Sequence, residues 1–247
     1  MHYRIIPINV GQFEALPKQT CMYRMYREVT YEAPCILWYL EGSRHNIVVD
    51  LGPPEPAQCL ENHNLVVTRN ASQDPARALR AAGLSPDEVS LVIITHLHWD
   101  HACGFHLFKN ARFLIQRKEI AYAIAPLPCH RTLYYEESLG KPPFVDFLDR
   151  MEVIDGDHTV EEGIRTVLIP SHSPGFQGVL VETAKGKYFI AGDAVGLFEC
   201  WETVPHVPSG IFNDLAQYYA SLDRIEDMAD WVLPGHDGRV FEKAVYP

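Results

Sequence analysis

Apolar residues in this chain fall in short runs broken by glycine, proline and charge. The run Val89-Ser90-Leu91-Val92-Ile93-Ile94 has the length and β-branched content of a buried strand. Residues 36–40 and 46–50 are two more such runs around Glu41-Gly42-Ser43, which predicts a hairpin. Residues 4–10 alternate loosely, and residues 163–169, 178–182 and 187–191 predict a second β-rich stretch. Helix signals lie between them. Asp74 caps a segment with Pro75 in its first turn, Ala78, Leu79 and Ala82 on one face, and Gly83 as terminator. Ser85 and Glu88 make a capping box for one short turn. From near Asn213, the residues Leu215, Tyr219, Leu222, Ile225 and Ala229 recur at helical spacing. Residues 122–147, rich in proline and aromatics, read as a loop or flap. Strands in both halves with helices between them predict two sheets packed together under outer helices, an α/β layered architecture. No repeat, low-complexity tract or compositional shift divides the chain, so residues 1–247 read as a single domain.

Composition narrows the function classes. With 247 residues and 47% hydrophobic content, one sizeable core can form. The net charge of -11 would repel a phosphate backbone, which argues against nucleic acid as a partner. Residues 1–7 lack the pattern of a signal peptide, and no run approaches the roughly 18 apolar residues of a membrane span. The cysteines Cys21, Cys35, Cys59, Cys103, Cys129 and Cys200 are scattered without a Cys-x-x-Cys pair, so they read as reduced thiols of a cytoplasmic protein. Cys103, two residues past His101, reads as a small residue packed in a turn.

The chemistry concentrates directly after the first buried strand. Thr95-His96-Leu97-His98-Trp99-Asp100-His101 packs three imidazoles and a carboxylate into six positions. Imidazole nitrogens and carboxylate oxygens are ligands for first-row metals. Three further blocks share the layout. Ser171-His172-Ser173-Pro174-Gly175, Ala191-Gly192-Asp193-Ala194 and Pro234-Gly235-His236-Asp237 each place one ligand-type residue just past an apolar run. Loops held at the ends of strands are common seats of catalytic groups. The remaining histidines, including His63 and His106, read as structural or solvated.

With these blocks in order, from Val49-Asp50-Leu51-Gly52 to His236, the chain resembles the metallo-β-lactamase superfamily over most of its length. The resemblance implies an αββα sandwich, two mixed β-sheets flanked by helices. It also implies two metal ions. His96, His98 and His172 would hold the first, Asp100, His101 and His236 the second, with Asp193 bridging them and Asp50 standing just outside the ligands. The imidazole-rich donor set makes zinc the first choice of divalent ion, with iron, manganese or cobalt as alternatives. Within the superfamily the chain is most similar to the N-acyl-homoserine lactonase group and related small lactonases, through its length, its His-x-His-x-Asp-His form, the Ser-Pro-Gly after His172, the terminal Gly-His-Asp and a long N-terminal loop over residues 12–34. That implies a small-molecule substrate, a lactone opened by a metal-bridging hydroxide, with Asp100 or Asp193 passing a proton to the leaving alkoxide. It also implies a homodimer.

The resemblance has departures. Typical members of the lactonase group carry a tyrosine three positions after the bridging aspartate, where this chain has Gly196. A replacement hydroxyl would come from Tyr23, Tyr134 or Tyr135. The apolar segment 195–201 predicts that Phe198 and Trp201 touch substrate, and His206 is a further candidate for the pocket wall. The loop 22–27, with its aromatics, methionines and arginines, reads equally as a lid or a packed arm. The alternatives are another hydrolase of the superfamily, acting on an aryl ester, cyclic amide or thioester, and a mononuclear iron dioxygenase acting on a persulfide.

Overall fold

A computed structural model describes residues 3–135 and 140–247. The first half of the chain builds β1 (Arg4–Pro17), β2 (Thr30–Glu41), β3 (Ile47–Val49), helix α1 (Pro56–His63), β4 (Val67–Thr68), helix α2 (Pro75–Ala81), β5 (Leu91–Ile93), β6 (Arg112–Gln116), helices α3 (Arg117–Ile124) and α4 (Arg131–Tyr134), and β7 (Met151–Ile154). These strands form one mixed sheet in the order β4-β1-β2-β3-β5-β6-β7. The second half supplies β8 (His158–Glu161), β9 (Ile164–Leu168), β10 (Gln177–Thr183), β11 (Gly186–Gly192), helices α5 (Phe198–Glu202) and α6 (Leu215–Met228), and β12 (Trp231–Pro234), with a sheet ordered β12-β11-β10-β9-β8.

Alternation along the strands sorts side chains into layers. Ile47, Val49, Ile93 and Leu114 of the first sheet meet Val179, Val181, Ile190 and Leu233 of the second in one buried cluster. Their neighbours Val48, Val92 and Phe113 turn the other way and pack with Leu79 and Ala123, from helices α2 and α3. On the far side, Phe189 and Val232 pack with Leu222 and Ile225 of α6. The result is the expected αββα sandwich. The sheets are also tied by hydrogen bonds, since Gln177 donates its backbone N–H to Thr95 O at 3.0 Å and its Nε2 to Ile94 O at 2.8 Å.

Local signals form as predicted. Asp74 Oδ1 accepts from Arg77 N at 2.9 Å, and Ser85 N donates to Glu88 Oε2 at 2.8 Å. Trp38 pairs with Val49 across the β2–β3 hairpin. Three expectations need correction. The N-terminal loop spans only residues 18–29, because β1 continues to Pro17 and β2 begins at Thr30; their long antiparallel register carries both strands through stretches without clear alternation. The buried face of α6 is Tyr218, Ser221, Leu222 and Ile225, while Tyr219 is 37% exposed. Tyr218 turns inward because its hydroxyl has buried carbonyl partners. Residues 122–147 contain the end of α3 and all of α4, and 136–139 lie outside the described residues. Among the described residues no helix is long and apolar enough to cross a membrane.

Candidate metal centre

Each donor sits where a strand stops. β5 ends at Ile93 and hands the chain to the loop bearing His96, His98, Asp100 and His101. β9 precedes His172, β11 runs into Asp193, and β12 runs into His236. The loops meet at one edge of the sandwich. Donor atoms of His96, His98 and His172 lie within 4.8 Å of one another, and those of Asp100, His101, Asp193 and His236 form a second such group. Asp193 faces both. Its Oδ2 is 3.4 Å from His172 Nε2, and its Oδ1 is 3.1 Å from Nε2 of both His101 and His236. Gly235 permits this approach, because a Cβ there would lie 2.6 Å from Asp193 Oδ1.

The other ring nitrogens are held from behind. Asp50, in the left-handed region at φ 61°, accepts Thr95 N at 2.8 Å and the Thr95 hydroxyl. Its Oδ2 lies 2.9 Å from His101 Nδ1. His96 Nδ1 pairs with Thr95 Oγ1 at 3.0 Å, His172 Nδ1 with Ser209 Oγ at 3.0 Å and Ile211 O at 3.1 Å, and His236 Nδ1 with Pro34 O at 2.9 Å. Each of these rings can donate through Nδ1, which leaves the Nε2 lone pair aimed inward.

The donor set fits metal ions. Nε2 of His96, Nε2 of His101 and Oδ1 of Asp193 are buried without a hydrogen-bond partner. Such atoms are costly unless something else takes their lone pairs, and a cation between them would do so. Charge differs between the groups. Burial, reinforced by neighbouring rings, pushes His96 and His98 well below the usual histidine range, and burial lowers His172 to about 4. In the other group burial opposes charge but is outweighed. Asp193 and Asp100 hold His101 well above, and His236 above, the ordinary value; the imidazoles of His236 and His101 in turn keep Asp193 well below the carboxylate range.

A cavity of about 60 Å³ opens over both groups, with His98, Asp100, His172, Asp193 and His236 in its floor. Its walls are mainly apolar, from Phe13, Leu16, Leu65, Leu133 and Ile211, with Cys21 beside Gly196. Apart from Gly196, these wall residues are not marked in the sequence, since they come from the end of β1, the following loop and segments far apart in the chain. The segment bearing Trp99 does show: its ring stacks on His63, centroids 4.1 Å apart, beside the same cavity.

The expected substrate contacts do not line this cavity. Phe198 and Trp201 line a separate hollow with Trp231 and Tyr246, because α5 turns away from Asp193; Arg239 covers the Phe198 ring at 4.7 Å. Trp201 stacks on His206, centroids 4.0 Å apart. Tyr23 packs edge-on against Phe212, and its loop is tied down by Tyr23 N to Pro208 O at 2.8 Å, which makes the loop a packed arm on its own domain. Tyr134 is buried with its hydroxyl on Glu119. His106 is exposed.

Comparison with known proteins places these features. A family model described as the metallo-beta-lactamase superfamily matches residues 33–236. An N-acyl homoserine lactonase of Bacillus thuringiensis is 30% identical over 220 residues, covering 83% of this chain and 81% of the relative. The N-acyl homoserine lactonase AttM of Rhizobium radiobacter is 30% identical over 165 residues, 64% of this chain and 62% of its own. Among solved structures, a mutant of B. thuringiensis AiiA with N-decanoyl-L-homoserine bound at its active site superposes with a TM-score of 0.79 at 24% identity, covering 98% of this chain and 96% of that one.

Proposed function

The chain belongs to the metallo-beta-lactamase superfamily, and from that premise we propose that it is a dinuclear metal-dependent hydrolase that opens lactones, with N-acyl homoserine lactones as the substrate class. The observation that carries this reading is Asp193, whose two oxygens face two separate donor groups beneath one apolar cavity. The lactonases matched at 30% identity support the substrate class.

In this reading His96, His98 and His172 hold one ion, Asp100, His101 and His236 hold the other, and Asp193 serves both. Zinc suits a set dominated by imidazole. Two divalent cations bound there would supply a water of lowered pKa and polarisation of an ester carbonyl. The chain's own groups do the rest. Asp50 and Thr95 keep His101 and His96 in the tautomer whose Nε2 points inward. Asp100 and Asp193 both line the cavity, where either can hold a proton and return it to the leaving alkoxide. The apolar walls exclude water and accept an acyl chain.

Metal content per chain by elemental analysis, paired with a pH-indicator screen of lactones and esters, tests this function. Two equivalents and acid release from N-acyl homoserine lactones are expected. One equivalent of iron with oxygen uptake and no hydrolysis would overturn it.

A further inference from the structure

The loops bearing the three-histidine group meet on a carboxylate that the proposed reaction does not use. Glu119, in the first turn of α3, is 0% exposed. Its Oε1 accepts Leu97 N at 3.0 Å and the Tyr134 hydroxyl at 3.2 Å, and its Oε2 accepts Ser173 Oγ at 2.6 Å. Leu97 separates His96 from His98, and Ser173 follows His172. The Tyr134 ring stands edge-on to the His98 ring, centroids 4.6 Å apart. A Cβ on Gly175 would lie 2.1 Å from Glu119 N, so the His172 loop rests directly on the start of α3.

Burying a carboxylate is expensive without donors to satisfy it. Here the donors come from the two histidine loops and from the residue packed on His98. The second donor group is braced elsewhere, by Asp50 behind His101 and Pro34 O behind His236, and Asp50 reaches the first group only through Thr95 behind His96.

We propose that Glu119 is the positioning residue of the three-histidine site, clamping the 96–98 loop to the 172–175 loop so that the rings of His96, His98 and His172 converge on one cation. This rests on the dinuclear reading above. Outer partners of metal ligands typically change affinity by roughly 10- to 100-fold, and the arrangement confines that effect to one of the two sites.

The test is a titration of metal-stripped protein with cobalt(II), following visible absorption, with chelator competition for affinities and circular dichroism for folding. Glu119→Gln keeps the volume but turns an acceptor into a donor facing other donors. A folded Glu119→Gln chain should bind one equivalent as the wild type does and the other roughly 10- to 100-fold more weakly, with that site's absorption bands altered. Ser173→Ala and Tyr134→Phe, each removing one hydrogen bond, should weaken the same site by less. Wild-type affinities and spectrum in folded Glu119→Gln would overturn the proposal, as would equal weakening of both sites. If Glu119→Gln does not fold, wild-type binding by Ser173→Ala and Tyr134→Phe would overturn it instead. A wild-type chain that takes up fewer than two equivalents would refute the dinuclear reading itself.

Discussion

His172 Nε2 lies 2.9 Å from His98 Nδ1, with the two rings crossed at 72°. The other nitrogen of His172 is engaged by Ser209 and Ile211 O, so Nε2 presents its lone pair toward His98. Removing one ring of this pair would leave a cation held by the three histidines short of a ligand. His98→Ala should therefore lose one metal equivalent and more than roughly 100-fold in lactone hydrolysis, the upper figure for losing only an outer partner. Elemental analysis and initial rates on the same preparation check both.

Asp50 serves two masters, Thr95 and His101, through one carboxylate. Asp50→Asn keeps the shape but gives up an acceptor. Affinity at the Asp100–His101–His236 site should fall by roughly 10- to 100-fold, which competition with a chromophoric chelator measures.

Chelation should lower thermal stability. Ions bound only by the folded chain stabilise it by about 2.7 kcal/mol at a free concentration 100 times the Kd. The unfolding midpoint, measured with and without chelator, should drop and recover on adding metal back.

Gly196 has an ordinary φ of -68°, so its reason is space rather than backbone freedom. A Cβ there would stand 2.9 Å from Cys21 Cβ and 3.0 Å from its Sγ. Gly196→Ala should cost about 1–3 kcal/mol by overpacking, and Cys21→Gly in the same chain should restore part of it. Denaturant unfolding of the single and double variants decides.

Burial pushes the Cys200 thiol up to about 12 from an ordinary 9.0. A thiol with a raised folded pKa stabilises fully below its unfolded pKa, and that contribution is lost as pH rises through the folded value. Stability should therefore fall between pH 9 and 12, and Cys200→Ala should flatten the fall. Near neutral pH, alkylation mapped by mass spectrometry should find exposed Cys129 modified and Cys200 protected.

The donor residues are legible in the sequence for a physical reason. Each stands one or a few positions past an apolar run, and burial of these strands on both faces makes such runs visible without any tertiary knowledge. Glu119 is not legible. It follows Arg117 and Lys118 at the head of a helix and looks like a solvated charge, and contacts 15, 22 and 54 residues away bury it. The same limit misplaces Phe198 and Trp201, since nearness to Asp193 along the chain does not say to which side α5 turns. The α6 face is shifted because Tyr218 answers to distant carbonyl groups rather than to helical spacing alone.

Neither donor group belongs to one sheet. His96 and His98 leave the first sheet and His172 the second; Asp100 and His101 leave the first, and Asp193 and His236 the second. Each ion would therefore rivet the two halves of the sandwich together. During synthesis a growing chain could assemble the three histidines once residue 172 was available, with Asp193 following, but the other seat only after residue 236. Metal capture would then follow the direction of translation, and the last rivet would report that the second sheet is in place.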